Sequence, residues 1–258
     1  MCNKYIMKIQ YASDLHLEFP ENKKFLSTKP IKPVGDVLIL AGDIVPFTVL
    51  EKHKDFFNYL SDNFENTYWI PGNHEYYYSD LKDRSGAFHE KIKENVHLLN
   101  NNTIKCDGVD LVFTTLWSDI TPANQWLIHA SMNDFRLIKH HNDFLSIERY
   151  NKLHTGCLQF LHNAFASSTP EKSIVVSHHA PTFLNYPEAY KGDALNEAFA
   201  VELFDFIEKH QPDFWIYGHT HGNTPDFSIG KTRLLTNQLG YVRNKERYDF
   251  RNAIVLHI

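Results

Sequence analysis

DFWIYGHTH, residues 213–221, begins as a strand and ends as a turn. The aromatic and β-branched run Phe214 to Tyr217 suits a buried strand, Gly218 ends it, and His219 and His221 follow one residue apart. Two imidazoles are thus presented just beyond the carboxyl end of a strand. Histidine is the commonest metal-ligating side chain, so a metal site is one reading and an ordinary exposed turn is the other. The same arrangement recurs. KIQYASDLHLE (8–18), DVLILAGDI (36–44), TYWIPGNHE (67–75) and SIVVSHHAP (173–181) are apolar runs of strand length that each end in a polar cluster.

Between these runs lie stretches with apolar spacing near 3.6 residues, and this spacing predicts helices over Leu50 to Phe64, Asp80 to Asn95, Ile147 to Phe165 and Asn196 to His210. Strands alternating with helices imply an α/β layered fold. Further strands are expected over Asp110 to Thr115, Leu234 to Asn237 and Ala253 to Ile258, in hairpin-like or edge positions. A mixed sheet or two packed sheets fits better than a purely parallel one. No internal repeat, Gly/Ser linker or low-complexity tract interrupts the chain, so residues 1–258 are expected to form a single domain. The stretch at about 120–146 stands apart, with Trp126, His129 and the polar run KHHND (139–143). It reads either as an insertion covering one end of the sheet or as a surface helix with loops.

The chain has 258 residues, long enough for a full core, and its 43% hydrophobic and 22% charged content is that of a folded globular protein. A formal charge of −5 argues against a broad basic face for extended nucleic-acid binding. The three cysteines, Cys2, Cys106 and Cys157, are odd in number and lack a C-x-x-C spacing, which fits neither a disulfide framework nor a thiolate zinc site. A reducing cytoplasm is expected. The first residues, MCNKYIMKIQ, contain no leader-length apolar segment, and no apolar stretch is long enough to span a membrane. The 16 histidines are the compositional anomaly.

Histidine is concentrated where the strands end. The five runs contribute Asp14 and His16, Asp43, Asn73 and His74, His178 and His179, and His219 and His221. In open α/β sheets ligands bind beyond the carboxyl ends of the strands. Any one of these residues has an ordinary structural reading: Asp14 or Asp43 as a cap, Asn73 in a left-handed turn after Gly72, His178 as a buried, hydrogen-bonded ring. Five strands all ending in such donors are explained by a common metal site.

In combination, D-x-H (Asp14, His16), G-D (Gly42, Asp43), G-N-H-E (Gly72 to Glu75), a strand-terminal His followed by Pro (His178, Pro181) and G-H-x-H (Gly218 to His221) resemble the calcineurin-like metallophosphoesterase signature. The blocks stand in the family's order and span residues 14 to 221. The resemblance implies a four-layer α/β/β/α sandwich of two mixed β-sheets flanked by helices, with a dinuclear metal centre at the strand ends. By position, Asp14, His16 and His221 would hold one metal and Asn73, His178 and His219 the other, with Asp43 bridging both. His74 would face the substrate. A carboxylate bridge suits two cations within about 4 Å of each other. The oxygen and nitrogen donors suit Mn, Fe or Zn without selecting among them. Both His178 and His179 follow the strand; His178, first after the apolar run, is preferred as the ligand, which leaves His179 facing substrate or supporting the ligands.

The implied reaction is hydrolysis of a phosphoester, in which a metal-bridging hydroxide attacks phosphorus and His74 protonates the departing oxygen. Protein serine/threonine phosphatases carry G-D-x-V-D-R-G and an Arg before G-N-H-E, whereas this chain has GDIVPF (42–47) and Pro71. The missing arginines favour a small-molecule or nucleotide phosphodiester. A phosphomonoesterase or nucleotide pyrophosphatase shares every motif. An inert metal-binding scaffold for protein partners would show lost ligands, and none is lost. Tyr76 and its neighbours Tyr77 and Tyr78 would stack on substrate or pack the following helix. Arg136, in SMNDFR (131–136), would reach a phosphate or pair with Asp134. TNQLGY (236–241) would line the rim. The chain is expected to be a monomer or homodimer.

Overall fold

The computed structural model describes residues 7–166 and 170–258; Cys2 and the other residues before Met7 lie outside it. The amino-terminal half runs β1 (Lys8–Ala12), α1 (Pro20–Thr28), β2 (Val37–Ala41), α2 (Lys54–Asn63), β3 (Asn66–Ile70), β4 (Phe88–Lys93), β5 (Val96–Asn100), β6 (Asn102–Cys106) and β7 (Val109–Thr114). It continues through α3 (Gln125–Ser131), α4 (Asp134–Leu137), the short hairpin β8 (Lys139–His140) and β9 (Asp143–Phe144), and α5 (Ile147–Ala166). The remainder is β10 (Lys172–Ser177), α6 (Phe204–His210), β11 (Phe214–Tyr217), β12 (Phe227–Ile229), β13 (Thr232–Thr236) and β14 (Val255–His257).

Two six-stranded mixed sheets result, ordered β14-β1-β2-β3-β5-β4 and β12-β13-β11-β10-β7-β6. In each, four parallel central strands are closed by an antiparallel strand on either edge. The central strands are largely buried on both faces, β2 (VLILA) along its whole length, and side-chain parity decides which layer each residue enters. Val37, Ile39 and Ala41 of β2 meet Leu111, Phe113, Ile174 and Val176 of the second sheet in the layer between the sheets. Leu38 and Leu40 point the other way, onto Leu26, Phe57 and Leu60 of α1 and α2. On the far side Val175, Trp215 and Leu234 pack under Tyr150, Leu161, Phe206 and Ile207 of α5 and α6. The four layers expected from the resemblance are present.

Two helix expectations need correction. Asp80 to Asn95 does not form a helix: only a 3-10 turn at Leu81–Asp83 precedes β4, which pairs antiparallel with β5. Phe88 and Ile92 stand four residues apart, a spacing that satisfies one face of a strand as well as one face of a helix, and the open edge of β5 decides between them. Asn196 to His210 is α-helical only over Phe204–His210.

Candidate metal centre

The carboxyl ends of β1, β2, β3, β10 and β11 converge, and hydrogen bonds lock the loops that leave them. The Asp14, His16 and Leu17 amides donate to the carbonyls of Gly42, Asp43 and Ile44, each at 2.9 Å, so the first two loops zip side by side. Glu75, fully buried, accepts from the amides of Asp43 (2.9 Å), Ile44 (2.6 Å) and Gly72 (2.7 Å) and from Trp69 Nε1 (3.1 Å), which ties the second loop to the third. Burial, and then the charge of Asp43, raise the Glu75 carboxyl to about 8 against the opposing pull of the Ile44 and Gly72 bonds and of His178. The His219 amide donates to Asp14, joining the two sheets.

Five of the candidate ligands have left-handed backbone: Asp14 (φ 56°), His16 (47°), Asp43 (56°), His219 (71°) and His221 (52°). Each is a non-glycine residue in a conformation that costs of order 1–3 kcal/mol and is characteristic of functional sites. The sharp reversals aim the side chains into one volume. Asp14, His16, Asp43 and His221 form one donor cluster, and Asp43, His178 and His219 another.

His16 Nε2 lies 3.0 Å from His221 Nε2 and 3.8 Å from Asp43 Oδ2, and His221 Nε2 is 3.4 Å from Asp14 Oδ1. In the second cluster His178 Nε2 lies 3.1 Å from His219 Nδ1, 3.3 Å from Asn73 Oδ1 and 3.4 Å from Asp43 Oδ1. Asp43 therefore turns one oxygen to each cluster.

The far nitrogen of every ring faces an oxygen: Glu18 Oε1 for His16 (3.2 Å), Glu246 Oε2 for His221 (2.9 Å), the Ala41 carbonyl for His178 (2.9 Å) and the Ala198 carbonyl for His219 (3.2 Å). An N–H donated outward leaves a lone pair directed inward, as metal-bound histidines require. Two imidazole nitrogens 3.0 Å apart repel unless a proton or cation sits between them. Asp43 Oδ2 is buried without a hydrogen-bond partner. A Cβ on Gly72 would run into Asp43 Oδ1 and the His178 ring, so that glycine keeps the space between the donors open. The residues fit a pair of cations.

The charge balance agrees. Burial disfavours charge on His221, but Asp14 and Glu246 carry it up to about 10; burial opposes His178 likewise, and Asp43 carries it up to about 9. Burial also opposes the Asp43 carboxylate, which His178 and His74 hold well below its ordinary value. Burial first, then neighbouring histidines, lower His16 and His219. The site is built around positive charge.

The sequence profile of calcineurin-like phosphoesterases matches residues 7–223, a stretch that takes in both clusters. The chain belongs to that family. Its chemistry is metal-dependent phosphoester hydrolysis, and the two clusters sharing Asp43 are the donor arrangement of a dinuclear divalent site. An uncharacterized protein, L509, of Acanthamoeba polyphaga mimivirus is 32% identical over 93% of this chain and 94% of its own length. Among solved structures, the phosphopantetheinyl hydrolase PptH of Mycobacterium tuberculosis shares the fold at TM-score 0.66 and 15% identity, over 97% of this chain and 95% of that one.

This phosphoesterase has a cavity of about 350 Å³ that opens on Asp43, Asn73, His74, His219 and His221. His74 is held at its rim, with Nδ1 2.9 Å from Glu18 Oε1 and Nε2 3.2 Å from Tyr241 Oη. Burial lowers the His74 imidazolium, but Asp43 and Glu18 together hold it above its usual value. Glu18, shared by His16 and His74, is driven down to about 2 by those two rings against the opposing effect of burial.

Three expected substrate contacts lie elsewhere. His179 is fully buried behind the cluster, against Trp117 and His219, with Nε2 3.2 Å from Tyr150 Oη. Tyr76 is buried between Phe47 and Trp117, because the 3-10 turn His74–Tyr76 rotates it inward. Arg136 is exposed, and its guanidinium bonds back to the Ala130 carbonyl. Tyr77 lines the cavity in Tyr76's place, its ring 4.2 Å from that of His74, and Tyr241 of the expected rim stretch lines it too. Ser131, the last residue of α3, and Met132 and Asn133, which join α3 to α4, form another wall. Glu18 and Glu246 went unread in the sequence; the only local signal was the alternation Asp14, His16, Glu18, which puts three donors along one short stretch. Among the described residues no helix is long and apolar enough to cross a membrane.

Proposed function

We propose that the chain is a phosphodiesterase acting on a small-molecule or nucleotide diester, with Asp14, His16 and His221 holding one cation, Asn73, His178 and His219 the other, and Asp43 between them. Mn, Fe or Zn suits this oxygen and nitrogen donor set, and we take Mn²⁺ for the test. A bound pair of such cations supplies a nucleophilic water and neutralises charge on the phosphoryl oxygens. The chain's own residues do the rest. Glu18 accepts the Nδ1–H hydrogen bond of His74 and fixes that ring, so that the proton on Nε2 faces the cavity wall beside Tyr241. From there it can pass to the departing oxygen. Tyr77 and Tyr241 line the cavity beside His74.

The preference for a diester rests on the charge of the wall. Apart from Asp43 and the histidines, the charged residues lining the cavity are the carboxylates Asp193 and Glu246, and no described lysine or arginine lines it. A carboxylate-bearing wall disfavours the second negative charge of a monoester more than it disfavours a singly charged diester. Segment 120–146, through Ser131 to Asn133, acts in this reading as a lid-like wall over the site within one folded domain.

The test is hydrolysis of bis(p-nitrophenyl) phosphate beside p-nitrophenyl phosphate by metal-stripped protein as Mn²⁺ is added back. A phosphopantetheinyl ester joins the panel, since the structural neighbour is a phosphopantetheinyl hydrolase. Metal-dependent turnover absent from Asp43→Asn is expected, with kcat/KM for the diester higher by about tenfold or more, an advantage of about 1.4 kcal/mol. Equal or faster monoester hydrolysis would favour a monoesterase. No turnover with two ions bound would favour a scaffold.

A further inference from the structure

Asn73 is the one amide among the candidate ligands, and an amide can face a cation in two ways that differ only by exchange of oxygen and nitrogen. Its surroundings choose. Nδ2 lies 2.9 Å from Asp134 Oδ1, while Oδ1 lies 3.3 Å from His178 Nε2 on the metal side. Tyr77 Oη donates to the same Asp134 oxygen at 2.8 Å, so that oxygen serves as acceptor to both. Turned over, Asn73 would set oxygen against oxygen at Asp134 and point an N–H, which has no lone pair to offer, at the cation. Asp134 is fully buried, Tyr77 is 7% exposed, and Asp134 Oδ2 has no partner, so this carboxyl is directed at Asn73 and Tyr77 and at nothing else.

Asp134 does not come from a strand end. It opens α4, directly after Ser131, Met132 and Asn133, which line the cavity. Tyr78 N donates to the Leu137 carbonyl at 2.8 Å and Lys139 N to the Ser79 carbonyl at 3.0 Å, which fasten this segment to the chain just beyond Asn73. Phe135, Ile138 and Ile128 anchor it in the core.

We propose that Asp134 is a positioning residue that holds Asn73 Oδ1 toward the second cation, so that the α3–α4 segment contributes both a wall of the substrate cavity and the orientation of a metal ligand. The proposal rests on the dinuclear reading above. Loss of a residue that orients a ligand typically weakens metal binding 10- to 100-fold.

The experiment titrates Mn²⁺ into the metal-stripped full chain by calorimetry, with bound metal counted by elemental analysis. Wild type is expected to take up two ions. Asp134→Leu, which has similar volume and no acceptor, is expected to keep the first affinity and to bind the second ion about 10- to 100-fold more weakly. Asp134→Asn retains an acceptor oxygen and recovers most of that loss. With Asn73→Asp both terminal atoms are oxygens and orientation no longer matters; in that background Asp134→Leu is expected not to weaken the second ion. If Asp134→Leu does not fold, Asp134→Ala takes its place with the same expected loss. Wild-type affinities in the Leu or Ala variant, or an equal loss in the Asn73→Asp background, overturn the proposal. A wild type that binds fewer than two ions overturns the dinuclear reading and this inference with it.

Discussion

Replacing Glu75 with Gln exchanges a single oxygen for an NH₂ group and tests how the site loops are held. Glu75 Oε2 accepts from the amides of Asp43 and Gly72, and Oε1 from the amide of Ile44 and from Trp69 Nε1. All four partners are donors and none can accept a carboxyl proton, so at pH 9, above the raised value of about 8, Glu75 is the charged carboxylate. Glutamine has a single acceptor oxygen. In either orientation its NH₂ faces two buried N–H groups, and two bonds to a charged acceptor are lost at about 1.5–3 kcal/mol each. The expected destabilisation is about 3–6 kcal/mol, a large part of the about 5–15 kcal/mol that folded domains possess. In a chain of this size that lowers the melting temperature by at least about 6 °C. Urea unfolding followed by tryptophan fluorescence reads it, in metal-stripped protein so that cation binding adds nothing to the native state. A change below about 0.5 kcal/mol would refute the reasoning, because it would mean that Glu75 carries a proton which the amide replaces one for one.

His74→Asn should lower kcat on bis(p-nitrophenyl) phosphate by about 10²- to 10⁴-fold while two Mn²⁺ still bind, as loss of a proton donor and not of a ligand; loss of bound metal would reassign His74. Gly72→Ala should abolish metal uptake, since the added methyl meets Asp43 Oδ1 and the His178 ring, and a variant that still binds two ions would show that the third loop yields. Phe57 is buried and stacks on Trp69 at 5.3 Å between centroids and 28° between planes, so Phe57→Ala should cost about 3–5 kcal/mol in urea unfolding with little change in metal affinity.

The parallel strands and their polar ends were legible because a doubly buried strand must be apolar throughout, and a donor placed in it must wait for the loop. DVLILAGDI and SIVVSHHAP show both properties within ten residues. Segment 80–95 was misread because a spacing of four serves helix and strand alike, and the deciding contact is with β5. Tyr76 and Tyr77 are indistinguishable in sequence; a single 3-10 turn sends one to the core and the other to the cavity. Glu18 lies 56 residues from the His74 it orients, and Asp134 lies 61 from Asn73, separations at which no local pattern exists.

The sequence by itself determined which donors exist, their order along the chain, and that they follow strands, because those properties depend on residue type and local periodicity. It could not choose between the two nitrogens of a histidine or the two ends of an asparagine amide. That choice belongs to the tertiary structure. His16, His178 and His221 turn Nε2 inward and His219 turns Nδ1, because Glu18, the Ala41 carbonyl, Glu246 and the Ala198 carbonyl each claim the opposite nitrogen from another part of the fold. Asp134 settles Asn73 in the same way. A ring or an amide becomes a ligand when a distant oxygen takes its N–H, and only folding brings that oxygen near.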